Sequence, residues 1–400
     1  MNKIIKAIIF SIIIFLIIML QAIVGNMNDN DYRKPAVVGS FYSENRVILT
    51  SQLDAFFEKT EIIYTGEKIN ALIVPHAGYI YSGQTAMYGY KQLYLDLLLR
   101  EEDSFKIIIL APNHTEYVKR IVISDYNYFR TPLGEIKINS TKINAEISNS
   151  PHKEEHAIEV QLPFLQYIFK KAGKELTIVP IIVGDVSKEE IKTIAKEINN
   201  EITKNTIIVV SSDLSHYKSQ ANAVEVDNKT IQEILDSTAK NIDACGKNPI
   251  LVLQEVAKLR GWDKPVLLKQ TTSGEVTKDK KAVVGYASLS YTEKKEHLLI
   301  RLAHRSIQNI FDSRRDNFKD METSIPKEYL EKKGSFVTLT IGKRLRGCIG
   351  NITSTKTVFE GIIANSKFAA FQDPRFDELT EKEFERTDIE ISILSKPKDC

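Results

Sequence analysis

Between residues 33 and 291, short runs rich in Ile and Val recur at 69–74, 105–110, 176–183 and 205–210. Each is followed by polar or turn-forming residues. Continuous apolar runs of this length read as strands buried on both faces, because a strand with one wet face would alternate. A fifth run, 282–289, closes the region. Helical patterns fall between the runs, at 46–58, 157–171, 188–199, 224–237 and 249–258. Strands alternating with helices predict an α/β fold with a central sheet flanked by helices.

The texture changes near Thr292. A short charged joint, 293–296, leads into an amphipathic helix at about 296–311. A strand at 336–341, a helix at 358–371 and a strand at 388–394 follow. Residues 32–291 and 293–400 are therefore read as two domains, the second a smaller α+β unit. Because the chain stops soon after its last strand, that unit is read as incomplete at its C-terminal end. At the other end, Lys3 and Lys6 precede an apolar run, 7–20, broken only by Ser11. Residues 1–26 have the pattern of an export signal or an uncleaved membrane anchor, with 4–25 as the membrane-associated part. A chain starting at Met27 would instead be cytoplasmic.

Charge and cysteine content narrow the function classes. With 54 basic against 52 acidic residues, the net charge of +2 offers no electrostatic footprint for nucleic acid. Cys245, Cys348 and Cys400 are too few to frame disulfides, so a cysteine near histidines is read as a ligand or nucleophile.

The chemistry-bearing residues follow the strands. His76 lies just after the first run, in PHAGYIYSG. His114 follows the second, in LAPNH, and Asp213 and His216 follow the fourth, in SSDLSHY. Open α/β sheets bind ligands beyond the carboxyl ends of their strands. Imidazole and thiolate are good ligands for iron, copper or zinc, and Cys245, in a turn before a helix, is placed to reach the same cleft. A buried small hydrophobe is the plainer reading of Cys245. Loop or cap roles are the plainer readings of His76 and His114. His156 is expected to begin a helix and share a face with Glu159, as an acid–base pair or a support; an N-terminal capping cluster with Glu154 and Glu155 fits equally. Asp213 is expected to orient His216 as a general base. His152 is read as a solvated loop residue, and His297 and His304 as surface or boundary residues. Without a Gly-x-Ser-x-Gly elbow, the serines at 211, 212 and 215 do not make a nucleophile.

These strings resemble a known family. PHAGYIYSG, APNH, EEHAIEVQLPF, SSDLSHY and CGKNPI occur in the order of the Memo family, framed by RKPAVVGSFY and VVGYASLSY. The resemblance covers about 32–291. It implies the fold of class III extradiol dioxygenases, the group that includes the protocatechuate dioxygenase catalytic subunit. Carried over by motif, it implies His76, His114 and Cys245 as metal ligands, His216 as the acid–base group with Asp213 beside it, and His156 lining the cleft. It also implies iron or copper as cofactor. The cysteine stands where the dioxygenases have a carboxylate, which weakens the case for ring cleavage. FVTLTIGKRLRGCIGNI and QDPRFDELT resemble the AMMECR family. Cys348 there is read as a structural thiol in a Gly-bracketed turn, with a nucleophile as the rival. Domains of both kinds occur with a radical S-adenosylmethionine protein, the AmmeMemoRadiSam system, which implies such a partner; the chain carries no Cys-x-x-x-Cys-x-x-Cys motif of its own.

The expected function is a metal-dependent redox protein or oxidoreductase acting on a small molecule. A non-enzymatic binding or adaptor module using the histidine-lined cleft is the alternative, and a metal-assisted hydrolase a third reading.

Overall fold

A computed structural model describes residues 31–293 and 297–395. The expected N-terminal signal or anchor lies outside these residues. Among the described residues, no helix is long and apolar enough to cross a membrane.

The chain opens with β1 (Tyr32–Arg33), α1 (Arg46–Lys59), β2 (Lys68–Val74), α2 (Tyr79–Leu99) and β3 (Ser104–Ala111). Short strands β4 (Ile121–Ile123), β5 (Tyr128–Thr131), β6 (Gly134–Lys137) and β7 (Glu146–Ile147) follow. Then come α3 (Leu162–Ala172), β8 (Glu175–Val183), α4 (Lys188–Glu201), β9 (Thr206–Ser211) and β10 (His216–Lys218). Helices α5 (Gln220–Leu235) and α6 (Lys247–Arg260) lead to β11 (Val266–Thr272) and β12 (Val283–Glu293). Nine strands form one sheet in the order β10-β12-β2-β9-β3-β8-β4-β7, with β11 also paired to β12. Its centre, β2-β9-β3-β8, is parallel. The run at 282–289, β12, is antiparallel to β2.

The parallel centre is apolar on both faces for a geometric reason. Successive side chains of a strand point to opposite faces. Ile107, Ile109 and Val209 pack into one buried cluster with residues of α2 and α3. Ile108, Leu110, Ile208 and Val210 pack into the other, with residues of α4 and α6.

Two expectations at the helices are corrected. The helix predicted to begin at His156 starts at Leu162 after a short 3-10 turn, Glu159–Gln161. Pro163 lies in its first turn, where a residue without an N–H costs nothing. The 21-residue α2 was not anticipated. It is buried on nearly every side, so it lacks the one-sided apolar stripe that marks a surface helix.

The C-terminal part comprises α7 (Leu298–Phe311), a hairpin of β13 (Ser335–Ile341) and β14 (Arg344–Asn351), α8 (Val358–Phe371) and β15 (Thr387–Ile393). Its three-stranded sheet has the order β14-β13-β15. Gly342 and Lys343, both at positive φ, form the two-residue hairpin turn. Cys348 therefore sits within β14, opposite Thr338, and not in a turn. Its Sγ lies 3.2 Å from Thr338 Oγ1.

This part docks on the first through α7. Gly66, at φ +98°, lets the chain pass against Leu298, whose Cα would lie 2.7 Å from any Cβ there. Beside it, Asp96 is fully buried. Its carboxylate accepts from Arg100 Nε at 2.8 Å, Arg301 Nη2 at 2.7 Å and the Ile69 amide at 3.0 Å. Arg301 also donates to Tyr64 Oη at 2.8 Å and to the Gly66 carbonyl at 2.9 Å. His304 reaches Glu101 Oε1 at 3.1 Å, a boundary position as expected.

Burial pushes the Asp96 carboxyl up, but Arg100 and Arg301 outweigh it and hold it below the usual carboxylate range. A depressed folded pKa contributes stability above the unfolded value of about 3.9, and that contribution is lost as pH falls below it. Asp96→Ala leaves two guanidinium groups facing each other without a counter-charge. The expected outcome is a loss of about 3–5 kcal/mol in chemical denaturation at neutral pH. The gap from the parent protein should narrow as pH falls through the carboxylate range, and a gap independent of pH would refute the assignment.

Candidate metal centre

Strands β2, β9 and β3 are neighbours, so their carboxyl ends lie side by side. His76 follows β2, Asp213 and His216 follow β9, and His114 follows β3. A fourth histidine joins them: His156 enters from the loop before α3. The ligand atoms of His76, His114 and His156 all lie within 4.8 Å of one another. The ring centroids are 5.1 Å (His76–His114), 5.4 Å (His76–His156) and 4.8 Å (His114–His156) apart. Cys245 comes in beside His76, with Sγ 3.3 Å from His76 Nε2. Gly246 makes this approach possible, since a Cβ there would lie 2.5 Å from Ser212 Cβ and 2.8 Å from the Ser211 carbonyl oxygen.

The tautomer of His76 follows from counting protons. Ser211 Oγ lies 2.6 Å from the Ala157 carbonyl, which can only accept, so the hydroxyl proton goes there. Gln161 Nε2 donates to the same oxygen at 2.7 Å. His76 Nδ1, at 2.9 Å from it, must therefore carry a hydrogen. That leaves Nε2 a bare lone pair aimed at the cluster. Burial, then the charges of His114, His156 and His216, hold this imidazole well below its ordinary pKa, in the neutral form a metal needs.

Glu155 does the same for His114 and lies near the His156 ring. Its Oε1 lies 3.0 Å from His114 Nδ1 and 3.3 Å from His156 Nδ1, and it accepts from the Ala157 amide at 2.8 Å. Its second oxygen takes the His114 backbone amide. A carboxylate on Nδ1 turns Nε2 outward and raises ligand basicity. Burial pulls the His114 pKa down, but the Glu155 hydrogen bond and charge outweigh it, and the ring ends raised. For His156 burial prevails and the pKa falls.

Several sequence expectations fare differently. Glu159 does not pair with His156. Its carboxylate accepts from Arg33, from Tyr42 Oη at 2.6 Å and from the amides of Ala36 and Val37 at 2.7 and 3.1 Å. Asp213 does not hydrogen-bond the His216 ring among the described residues. Its Oδ1 takes the His76 amide at 2.8 Å, which ties the β9 end to the β2 end. Burial, opposed by the amides of His76 and Ala77, pushes Asp213 up to about 7. His216 is half-buried and lowered by burial, close enough to His114 to feel its charge. His152 is not solvated but buried, with Nε2 3.3 Å from the Val122 carbonyl, and burial takes it down to about 4. Cys245 accepts from the Asp213 amide at 3.2 Å, and burial plus the Asp213 charge push its thiol up to about 12.

The structure thus brings together His76, His114, His156 and Cys245, with His216 and Asp213 beside them. Sequence reasoning passed over Glu155, Ser211 and Gln161 as supports. Glu155 beside His156 was visible but was read only as a helix cap. A cavity of about 560 Å³ opens next to Cys245 and is bordered by Asn113, Tyr117, Lys240 and Lys247.

In metal-free protein, long-range proton–nitrogen NMR is expected to show His76 protonated on Nδ1. Ser211→Ala should release that preference. A dominant Nε2–H form in the parent protein would overturn the proton count.

Comparison with known proteins adds the lineage. The family model described as Memo-like protein matches residues 33–290, and the AMMECR1 model matches 300–400. A MEMO1 family protein of Methanosarcina mazei is 34% identical over 277 residues, covering 65% of this chain and 98% of that protein. One from Thermoplasma volcanium is 36% identical over 275 residues, covering 64% and 97%. A solved structure of an uncharacterized protein from Pyrococcus horikoshii is 33% identical over 25% of this chain, with a TM-score of 0.23; the chain spans 51% of that protein.

Proposed function

The chain belongs to the Memo-like protein family, and from that premise we propose that its strand-end cluster binds one redox-active iron or copper ion in an oxidoreductase acting on a small molecule. The observation that carries this reading is the convergence of three imidazoles, two of which, His76 and His114, have their Nδ1 atoms already committed to Ser211 and Glu155. His76, His114 and Cys245 would hold the ion, with His156 supplying a further nitrogen at the same centre.

The donor set fits such an ion. Imidazoles with one thiolate suit iron, copper and zinc, and not hard cations such as magnesium. A buried thiol beside a buried carboxyl is a poor arrangement without a cation, and a bound ion would reverse the pressure that keeps Cys245 protonated. When bound, iron or copper supplies Lewis acidity and one-electron chemistry.

The chain's own residues do the rest. His216, neutral by burial, accepts or returns a proton at the edge of the cluster. Asp213 holds the His76 and Cys245 segments at fixed separation, accepting the His76 amide on its carboxylate and donating its own amide to Cys245 Sγ. The adjoining cavity, about 560 Å³, has the size of a small-molecule site. Lys240 and Lys247 on its border oppose Glu116 and Asp185. A radical S-adenosylmethionine protein is the proposed partner, on family resemblance.

Elemental analysis of protein purified without oxygen tests this directly. The expected result is one iron or copper per chain, lost in a His76→Ala/Cys245→Ser double variant. Stoichiometric zinc would remove the redox part of the reading. No metal after reconstitution with iron and copper would favour the binding-module alternative. Glu155→Gln keeps the fold's shape but weakens the Nδ1 anchor, and metal affinity should fall about 10–100-fold by competition with a chelator.

A further inference from the structure

A second cavity, of about 500 Å³, lies where the turn between α3 and β8 meets the end of α7, away from the histidine cluster. Lys174, Arg305, Arg314 and Arg315 line it, against the carboxylates of Asp103 and Glu175. Two of these cations are buried: Arg305 is 4% exposed and Lys174 8%.

Their partners are few. Asp103 is shared between Lys174, at 3.3 Å, and the Arg314 fork. Lys174 also donates to the Arg100 carbonyl at 3.0 Å. Among the described residues Arg305 has one ion-pair partner, Asp312 at 3.5 Å, which Arg314 also approaches at 3.7 Å. Arg315 has no ion-pair or hydrogen-bond partner among the described residues. Buried guanidinium groups are normally forked onto carboxylates or phosphates, because an unpaired buried charge is costly. Here burial and the charge of Arg305 pull Lys174 down to about 8, and burial and Arg314 lower Arg305. The cations crowd one another around too little negative charge. Asn309, which also lines the cavity, has its Oδ1 buried with no hydrogen-bond partner among the described residues.

We propose that this junction cavity is a binding site for a small phosphate-bearing anion, held by Lys174, Arg305, Arg314 and Arg315. The guanidinium forks suit tetrahedral oxyanions, and the four cations outnumber Asp103, Glu175 and Asp312 by one. Since its walls come from both α7 and the α3–β8 turn, the bound anion would join the two parts of the chain. The site is independent of the metal centre and of its proposed chemistry.

Titration calorimetry on the metal-stripped full-length protein tests it with two probes, inorganic phosphate and pyrophosphate. At least one is expected to bind at one site per chain with a dissociation constant below about 1 mM. Tighter pyrophosphate binding would point to a diphosphate ligand, and equal binding to a single phosphate group. Arg315→Gln removes an exposed, unpartnered side chain and should leave the anion-free melting midpoint unchanged. It should weaken binding about tenfold. Absence of saturable binding by both probes, or binding indifferent to Arg315→Gln, would overturn the proposal.

Discussion

Everything at the candidate centre depends on three parallel strands lying side by side in the order β2-β9-β3. The ladder register fixes Val74 against Ser211 and Leu110 against Val210. With those pairs set, the residues leaving each strand have little freedom about where they emerge. His76, Asp213 and His114 then come out within a few ångströms, though far apart in sequence. Backbone hydrogen bonds buried in a dry interior hold this register, and a slip of one residue would exchange the faces of every side chain. The centre is thus a property of the ladder before it is a property of the histidines.

A second layer of control lies in hydrogen atoms. Ser211 has one hydroxyl proton and three polar partners, and its choice propagates to His76. Glu155 imposes the corresponding choice on His114. Neither residue needs to touch a ligand to decide what the rings can do. Against these supports stands a local deficit: a buried thiol and a buried carboxyl pushed up by burial, and the His76 and His156 imidazoles pushed down by it. Such displaced groups gather where chemistry is done.

The strands were legible in the sequence because both-face burial forces unbroken runs of Ile and Val, and the observed strands fall on those runs to within a few residues. The strand-end histidines were legible by the same logic. Helix α2 was not, because a helix buried all round carries no polar face to set its period, and Gly83 and Gly89 further disguise it. His152 was misread since its neighbours are polar while its own ring tucks under β4; local composition does not report long-range packing. The Glu155 role was hidden for a related reason. A carboxylate next to a histidine in sequence can cap, pair or float, and only the position of His114, contributed by a separate strand, selects among these. Cys245 was legible as a candidate from its turn before a helix, but no spacing rule links it to His76, and motif resemblance was needed to prefer it over a buried small hydrophobe.

The Asp96 cluster bears on how separable the two parts of this chain are. Modularity is usually judged from sequence boundaries, and here the boundary near residue 293 invites a cut. Yet α7 supplies the second guanidinium to a carboxylate rooted in α2, and apolar residues from both parts share one buried cluster. A fragment ending at the boundary would hydrate that carboxylate and bare the apolar face beneath α7. It would thus be a different folding unit, and not the same one shortened. Helix α2 also begins three residues after His76 and ends at the exposed wound, about 30 Å away. Dissection would therefore disturb the very scaffold on which the histidines are hung.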